Sequence, residues 1–424
     1  MRRDEAISNK MDWVTVMIYV VMVLLGWFNI FAAVYDETAH QNIFDLSLNS
    51  GRQLIFIAAS AIIILAILIV DMRFYEAAAY LIFGAIIFLL ILVPVIGKEV
   101  GGNKAWLGIG SFGVQPSEFA KFATALAVAK FIGTVGFRMD RLRNQAILFM
   151  MIGVPMVLIL LQKDTGTALV FTVFVIVFFR EGMSPFLILV GLAAAIIFIL
   201  TLLVENQLYL YGGILIMLVI AIVMGRKTFK RIALLTIGAL LIAGVIESVD
   251  YVVTDVLKPH QQNRIKALIN PEADPLGFGW NVTQSKIAIG SGGFSGKGFL
   301  KGTQTKFDFV PEQSTDFIFC TIGEEHGWIG SLMVIVLFVA LLLRIIFLAE
   351  RQKSRFARVF GYSVACIFFF HFAVNIGMTI GLFPVIGIPL PFFSYGGSSL
   401  WGFTILLFIL LKLDAHRSQM LQRL

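Results

Sequence analysis

The sequence predicts an all-α polytopic membrane protein of about twelve transmembrane helices, from its composition, its long apolar runs and the charges of its loops. Hydrophobic residues make up 59% of the chain and charged residues only 14%, and the mean hydropathy is +0.91. Soluble domains carry about 25% charged residues. The runs are long enough for helices that cross a hydrocarbon core of about 30 Å, and they lack the alternation of barrel strands.

Twelve apolar runs are the predicted spans, and the first is too long for the core of a signal peptide. We place them near residues 13–35, 53–70, 74–95, 116–136, 145–162, 167–179, 185–204, 208–224, 232–246, 328–347, 359–382 and 400–411. The run at 167–179 is short, which leaves ten or eleven spans as an alternative. We treat residues 1–424 as a single membrane domain, in which a long polar loop at 249–327 interrupts the apolar runs.

Basic residues in the short loops set the predicted orientation. With the amino terminus inside, the twelve spans put every basic loop in the cytoplasm, as the positive-inside rule requires. These loops are 137–143, 225–231, 344–358 and the carboxyl-terminal tail. Both termini are therefore predicted to be cytoplasmic, and the loops at 97–115, 249–327 and 383–395 face outward. We interpret the net charge of +7 as this loop charge and not as a nucleic-acid surface.

The long loop holds the residues best suited to chemistry. Asp316 precedes an apolar run at the membrane boundary, where partial burial raises the pKa of a carboxyl and makes it a better proton acceptor. Glu312 stands four residues earlier, so the two acids are also candidate metal ligands. Arg264 and Lys286 are candidates for holding an anionic group, with a solvated basic loop as the alternative. The glycine-rich run 290–302 fails the nucleotide-loop pattern, which excludes that function.

Other polar residues lie near outer turns. Glu118 and Lys121 share one face at the start of the fourth span, either as a helix-start ion pair or as part of an interior cavity. Asp164 is either a solvated helix cap or a second carboxylate in that cavity. Residues 384–399 contain three prolines, so they do not form a continuous helix. We expect them to line the cavity, with a purely structural turn as the alternative, and Ser394 is a candidate substrate contact.

Four stretches together resemble the SEDS family, the RodA/FtsW group of cell-shape and division proteins, and the RodA branch more than the FtsW branch. They are WLGIGSFGVQPSEFAK, QKDTGTALV, NPEADPLGFGWNVTQSKIAIGSGGFSGKGFLKGTQTKFDFVPEQSTDFIF and VNIGMTIGLFPVIGIPLPFFSYGGSS. The resemblance implies a peptidoglycan glycosyltransferase that polymerises lipid II on the outer face of the cytoplasmic membrane, with a class B penicillin-binding protein as partner. It assigns the essential loop acid to Asp316. Further family positions fall on Trp106, Glu118, Lys121, Asp164 and Glu312.

The sequence departs from the family pattern at several positions. Ser314 stands where the family often has a histidine, so no imidazole role is carried over. Ala105 replaces the arginine that usually precedes the tryptophan, and Gln262 replaces the first of two arginines, which leaves Arg264. The family norm is ten spans, so residues 206–248 are predicted to form an inserted helical hairpin.

The chemistry that fits this resemblance is an inverting transfer, in which a base takes a proton from an acceptor hydroxyl while a lipid pyrophosphate departs. Asp316 is the predicted base or metal-binding acid, and Arg264 and Lys286 are predicted to lie near the pyrophosphate. Mg²⁺ or Mn²⁺ is a candidate cofactor, and no nucleotide is expected. A flippase for lipid-linked cell-wall precursors is the alternative and a recruiting scaffold a third function. The gathering of polar clusters on one side favours the enzyme.

Overall fold

The computed structural model describes residues 11–35, 42–100, 103–109, 112–204, 206–225, 228–251, 278–305 and 309–417. Two compact units divide the chain. The larger contains Met1–Met183 and Asn281–Leu424, and the smaller contains Ser184–Trp280. Arg264, predicted to lie near the pyrophosphate, and Gln262 fall outside the described residues.

Helices make up most of both units. In chain order they are α1 (Trp13–Val34), α2 (Asn49–Ile69), α3 (Met72–Ala77), α4 (Ala79–Ile96), α5 (Pro116–Gly133), α6 (Leu142–Leu161), α7 (Thr165–Val170), α8 (Phe174–Arg180), α9 (Phe186–Leu203), α10 (Leu208–Val223), α11 (Phe229–Tyr251), α12 (Phe278–Ser291), α13 (Ile318–Glu350), α14 (Arg355–Thr379) and α15 (Gly397–Ala415). A short 3-10 turn at Phe171–Val173 joins α7 to α8.

Each of the twelve predicted spans coincides with one helix or with consecutive helices. Among the described residues, eight helices are long and apolar enough to cross a membrane, and Thr165–Arg180 and Leu208–Val223 are shorter apolar segments. The helices α5 and α9 occupy the two remaining predicted positions. The fold class, a polytopic α-helical membrane protein, is therefore confirmed.

A small antiparallel sheet lies between α4 and α5, where the sequence analysis predicted only a loop. Its strands are β1 (Lys98–Val100), β2 (Asn103–Ile109) and β3 (Phe112–Val114), in the order β1-β2-β3. Trp106 lies in β2, opposite Lys98 of β1. The strands β1 and β3 have three residues each, which is too short to give a period in the sequence, so the sheet was not predicted.

The predicted long loop contains helical structure. The helix α12 lies within it, and α13 begins at Ile318, ahead of the span predicted from residue 328. The predicted boundary coincides with a break inside α13, where Gly327 has φ +61° and ψ −154°. A Cβ at this position would come within 2.3 Å of the Gly296 nitrogen, so the break requires glycine.

The helix α5 is buried along most of its length and packs against α4, α14 and α15. Alanines at 120, 123, 125, 127 and 129 let these neighbours approach closely. Glu118 and Lys121, in the first two turns of α5, are therefore enclosed by the bundle. The helix α14 also packs against α13, which brings the start of α13 to the same place.

The smaller unit contains α9, α10 and α11, and both α9 and α10 pack against α11. Tyr211 of α10 donates a hydrogen bond of 2.8 Å to Glu247 of α11. The predicted hairpin at 206–248 corresponds to α10 and α11. That these two helices are an insertion stays a prediction.

Candidate active site

Asp316 lies in the turn before α13, and its side chain is half-buried. Asn375 of α14 donates a hydrogen bond of 2.8 Å to the Asp316 carbonyl and another of 2.8 Å to the Ile388 carbonyl. Gly387 lies against the carboxylate, because a Cβ there would be 3.2 Å from Asp316 Oδ2. The backbone at Gly387 has φ +68°, which favours glycine. The proline-rich segment thus lies beside the Asp316 side chain, and its place in the wall of a cavity stays a prediction.

The electrostatic surroundings of Asp316 favour its protonated form. Burial raises the pKa of Asp316 to about 7, with further contributions from the charges of Glu312 and Asp164. No group within the described part of the chain donates a hydrogen bond to its carboxylate. A carboxyl whose pKa lies near neutral pH suits a general base, since it is available as the anion and still binds a proton well.

Residues of the proline-rich segment bind the turn that carries Asp316. Ser394 Oγ donates to the Thr315 carbonyl at 2.5 Å and accepts from the Leu390 amide at 2.8 Å. The Tyr395 amide donates to the Ser314 carbonyl at 2.8 Å. The hydroxyl of Ser394 therefore holds two backbone segments together, and its contact with substrate stays a prediction.

Glu118 and Lys121 form the ion pair that their spacing predicted. Lys121 Nζ lies 2.8 Å from Glu118 Oε2, and both side chains are buried. The ammonium also lies 3.1 Å from His371 Nε2 and 4.5 Å from the centre of the Phe403 ring. His371 was not among the residues predicted from the sequence, although a lone histidine in an apolar span is a recognised sign of function.

Asp164 is a buried helix cap, which corrects the alternative of a solvated one. Its Oδ1 accepts a 3.0 Å hydrogen bond from the Thr167 amide at the start of α7. Its Oδ2 accepts a 2.8 Å hydrogen bond from Gln115 Nε2, and Ser117 Oγ lies 3.5 Å away. Close packing continues at Gly166, where a Cβ would come within 2.3 Å of the Ile386 carbonyl. Asp164 therefore borders the same segment as Asp316.

The other predicted site residues differ in their exposure and in the element that carries them. Glu312 is exposed, has φ +55°, and accepts a 2.9 Å hydrogen bond from the Thr315 hydroxyl. Lys286 of α12 is exposed and lies beside Gly381 at the end of α14, while Trp106 is half-buried in β2. Within the described ranges, no hydrogen bond or ion pair joins Lys286 or Trp106 to Asp316.

A family model described as "Cell cycle protein", which groups FtsW, RodA and SpoVE, matches residues 11–210 and 192–419 of this chain. The chain belongs to this FtsW/RodA/SpoVE family. Peptidoglycan glycosyltransferase RodA from Treponema pallidum is 31% identical over 431 residues, covering 96% of this chain and 98% of the relative. Peptidoglycan glycosyltransferase MrdB from Escherichia coli K12 is 33% identical over 365 residues, covering 86% and 85%.

Solved structures of the FtsW/RodA/SpoVE type share the fold. One chain comes from a peptidoglycan synthase complex described as coordinating polymerization and crosslinking. It matches with a TM-score of 0.72 and 27% identity, over 96% of this chain and 99% of its own length. An aspartate-to-alanine variant of the rod shape determining protein RodA from Thermus thermophilus matches with a TM-score of 0.63 and 25% identity, covering 96% and 98%.

The glycine-rich run of this FtsW/RodA/SpoVE member packs on the start of α13. Lys297 and Gly298 donate backbone hydrogen bonds of 3.0 and 2.9 Å to the carbonyls of Glu324 and Glu325. Lys297 Nζ lies 2.6 Å from Glu324 Oε1, and the amides of residues 303, 304 and 305 also bind the Glu324 carboxylate. The charge of Lys297 is thus neutralised by a buried carboxylate of the protein.

The described residues of this family member contain no group of three or more His, Cys, Asp or Glu side chains that could hold a metal ion. Asp316 and Glu312 therefore do not belong to a complete protein-built metal cage within that part of the chain. Mg²⁺ sites, however, often use one or two carboxylates together with the phosphates of a substrate. The divalent cation stays a prediction.

Proposed function

We propose that this chain is a peptidoglycan glycosyltransferase that polymerises lipid II into glycan strands for cell elongation and shape. The observation that carries the proposal is Asp316, whose carboxyl has a pKa raised to about 7 and lies at the start of α13 beside the proline-rich segment. Membership of the FtsW/RodA/SpoVE family supports it, since relatives named peptidoglycan glycosyltransferase align over most of the chain.

In the proposed mechanism, Asp316 accepts the proton of the attacking sugar hydroxyl. The new glycosidic bond forms as the bond to the lipid pyrophosphate breaks, so the reaction is a single inverting displacement without a covalent intermediate. Burial and the charges of Glu312 and Asp164 make Asp316 a stronger base than an ordinary aspartate. A single base is sufficient, because pyrophosphate departs without needing a proton.

Cations are proposed to stabilise the departing pyrophosphate. Lys286 is exposed on α12 and is available to an anionic group, whereas the buried Lys121 is already paired with Glu118. We assign Lys286 and Arg264 to the pyrophosphate, with Mg²⁺ or Mn²⁺ supplying further charge stabilisation if it binds with the substrate. Glu118, Lys121 and Asp164 shape the protein around Asp316.

We propose a class B penicillin-binding protein as partner. The structural relative that belongs to a complex coordinating polymerization and crosslinking supports this, since crosslinking needs a second activity. We further propose that both termini are in the cytoplasm and that Asp316 faces the cell exterior or periplasm. The charged loops between the helices support this orientation.

Fluorescent lipid II and the purified full-length protein provide the test. The wild-type protein should form long glycan strands on a gel, and Asp316→Ala should reduce their formation at least about 100-fold, as expected for loss of a general base. Asp140→Asn is a control, because Asp140 is 63% exposed in a surface ion pair with Arg138. Parallel reactions with a chelator, and with added Mg²⁺ or Mn²⁺, test the cation.

An active Asp316→Ala variant would remove the proposed base. Transport of labelled lipid II across liposomes without strand formation would instead support the flippase. Substitutions of Asp316 and Lys121 that leave the protein folded and fully functional in cells would support the recruiting scaffold.

A further inference from the structure

His371 is a fully buried polar residue that the proposed mechanism does not use. It lies in α14, four residues before Asn375. Its Nε2 is 3.1 Å from Lys121 Nζ, its Nδ1 is 3.0 Å from the Pro389 carbonyl, and its ring packs edge-on against Phe403 at 4.8 Å between centroids. One imidazole therefore bridges a buried ion pair and the proline-rich segment.

The two contacts of His371 define its tautomer. The Lys121 ammonium can only donate, so His371 Nε2 must accept its proton. The Pro389 carbonyl can only accept, so Nδ1 must carry a hydrogen and donate it. Both bonds exist together only in the neutral ring with the proton on Nδ1. A charged imidazolium would put a second cation 3.1 Å from Lys121 without a lone pair to receive its hydrogen.

His371 and Asn375 lie one helical turn apart and bind neighbouring carbonyls of the proline-rich segment. His371 donates to the carbonyl of Pro389, and Asn375 donates to that of Ile388. Asn375 also donates to the carbonyl of Asp316 itself. Together the two side chains fix residues 388 and 389 on α14, and the adjacent Gly387 lies beside the Asp316 carboxylate, since a Cβ there would be 3.2 Å from Oδ2.

We infer that His371 is a positioning residue for the glycosyltransferase site, an inference that rests on the proposed function. It holds the segment around Pro389 at a fixed distance from the Glu118–Lys121 pair, and this segment sets the position of the Asp316 carboxylate. His371 itself does not touch the substrate in this arrangement. Its loss should therefore lower the rate of transfer more than the affinity for lipid II.

Three substitutions separate the two contacts of the ring. In His371→Asn, the side-chain amide takes the place of Nδ1 and can still donate to Pro389, but it does not reach Lys121. In His371→Gln, the amide takes the place of Nε2 and can accept from Lys121, while the bond to Pro389 is lost. His371→Leu removes both bonds. His416→Leu, at the end of α15, is the control for a histidine outside this network.

Two measurements on purified full-length protein test the inference. Polymerisation of fluorescent lipid II gives kcat and KM, and hydrogen exchange of a peptide covering residues 388–396 reports how firmly the segment is held. We expect kcat to decrease in the order wild type, Asn, Gln, Leu, with a loss of about 10-fold or more for leucine, because a shift of about 1 Å can cost about 100-fold. KM should stay within about twofold, and exchange should increase in the same order.

Several outcomes would overturn the inference. An active His371→Gln beside an inactive His371→Asn would show that the Lys121 contact matters and the Pro389 contact does not. A reduced rate with unchanged exchange, or an unchanged leucine variant, would exclude positioning of the segment. The Asn and Gln comparison stands even if leucine prevents folding. If the wild-type protein makes no glycan strands, the proposed function is wrong, while the exchange order still decides whether His371 holds the segment.

Discussion

Asp316 and Glu324 lie on either side of the first turns of α13, yet their carboxylates have opposite surroundings. Glu324 is fully buried and accepts six hydrogen bonds, including one from Lys297 Nζ at 2.6 Å. Asp316 accepts none from the described residues, and its pKa is raised to about 7 by burial and by the charges of Glu312 and Asp164. Neighbouring acids in one segment therefore have different uses.

The difference indicates that the donors around a carboxylate decide whether it suits the fold, as at Glu324, or suits the chemistry proposed for Asp316. The donors at Glu324 compensate the cost of burying its charge and hold residues 297–305 on α13. The described residues offer no such compensation for the charge of Asp316, so ionising it destabilises the folded protein. The pKa of Asp316 is raised above the ordinary 3.8 in the folded protein. The contribution of Asp316 to the free energy of unfolding is therefore complete below about pH 4 and is lost as the pH rises through about 7.

Asp316→Asn should give the largest effect on activity and the smallest loss of stability. We expect strand formation from lipid II to decrease at least about 100-fold, since asparagine cannot accept a proton. At pH 8 the melting temperature should equal or exceed that of the wild type, because the uncompensated charge is removed, and at pH 4 the two should agree. A clear decrease of the melting temperature at pH 8 would show that the ionised carboxylate stabilises the fold.

Glu324→Gln should have the reverse effects. An amide places N–H groups where the protein already presents donors, and it leaves Lys297 without its counterion, so we expect a loss of about 3 kcal/mol in the free energy of unfolding. Activity per folded molecule should remain within a few-fold. Glu350→Gln is the matched control, since Glu350 pairs with Arg180 on the surface at 51% exposure and should cost less than about 1 kcal/mol. Equal losses in the two variants would contradict the comparison.

The sequence predicted the features that depend on neighbours along the chain. Long apolar runs located the helices, and the spacing of three residues predicted the Glu118–Lys121 pair. The position of Asp316 before an apolar run indicated a partly buried carboxyl, and the raised pKa agrees with that. Each of these properties is local, so one sequence is sufficient to predict it.

Features that join distant parts of the chain were not predictable in the same way. His371 meets Lys121 across 250 residues, and Gln115 meets Asp164 across 49. The six donors around Glu324 come from Lys297 in the glycine-rich run and from residues 303–305 directly after it, a stretch whose composition alone indicates only a flexible loop. A single sequence shows which residues are polar but not which of them meet. For this reason the sequence assigned no role to Glu324 and did not point to His371.

Glu312→Gln is the smallest predicted effect and the most direct test of why Asp316 differs from Glu324. The Glu312 charge raises the pKa of Asp316, so a neutral glutamine should lower that pKa from about 7. The acid side of the pH profile of kcat/KM should then move to lower pH, by less than about one unit because Glu312 is exposed and screened by salt. Glutamine can still accept the hydrogen bond from Thr315, so the turn should be preserved.

Glu76→Gln, a substitution of an exposed acid in α3, is the control and should leave the pH profile unchanged. A profile that stays in place for Glu312→Gln, or moves to higher pH, would show that the Glu312 charge does not raise the proton affinity of Asp316.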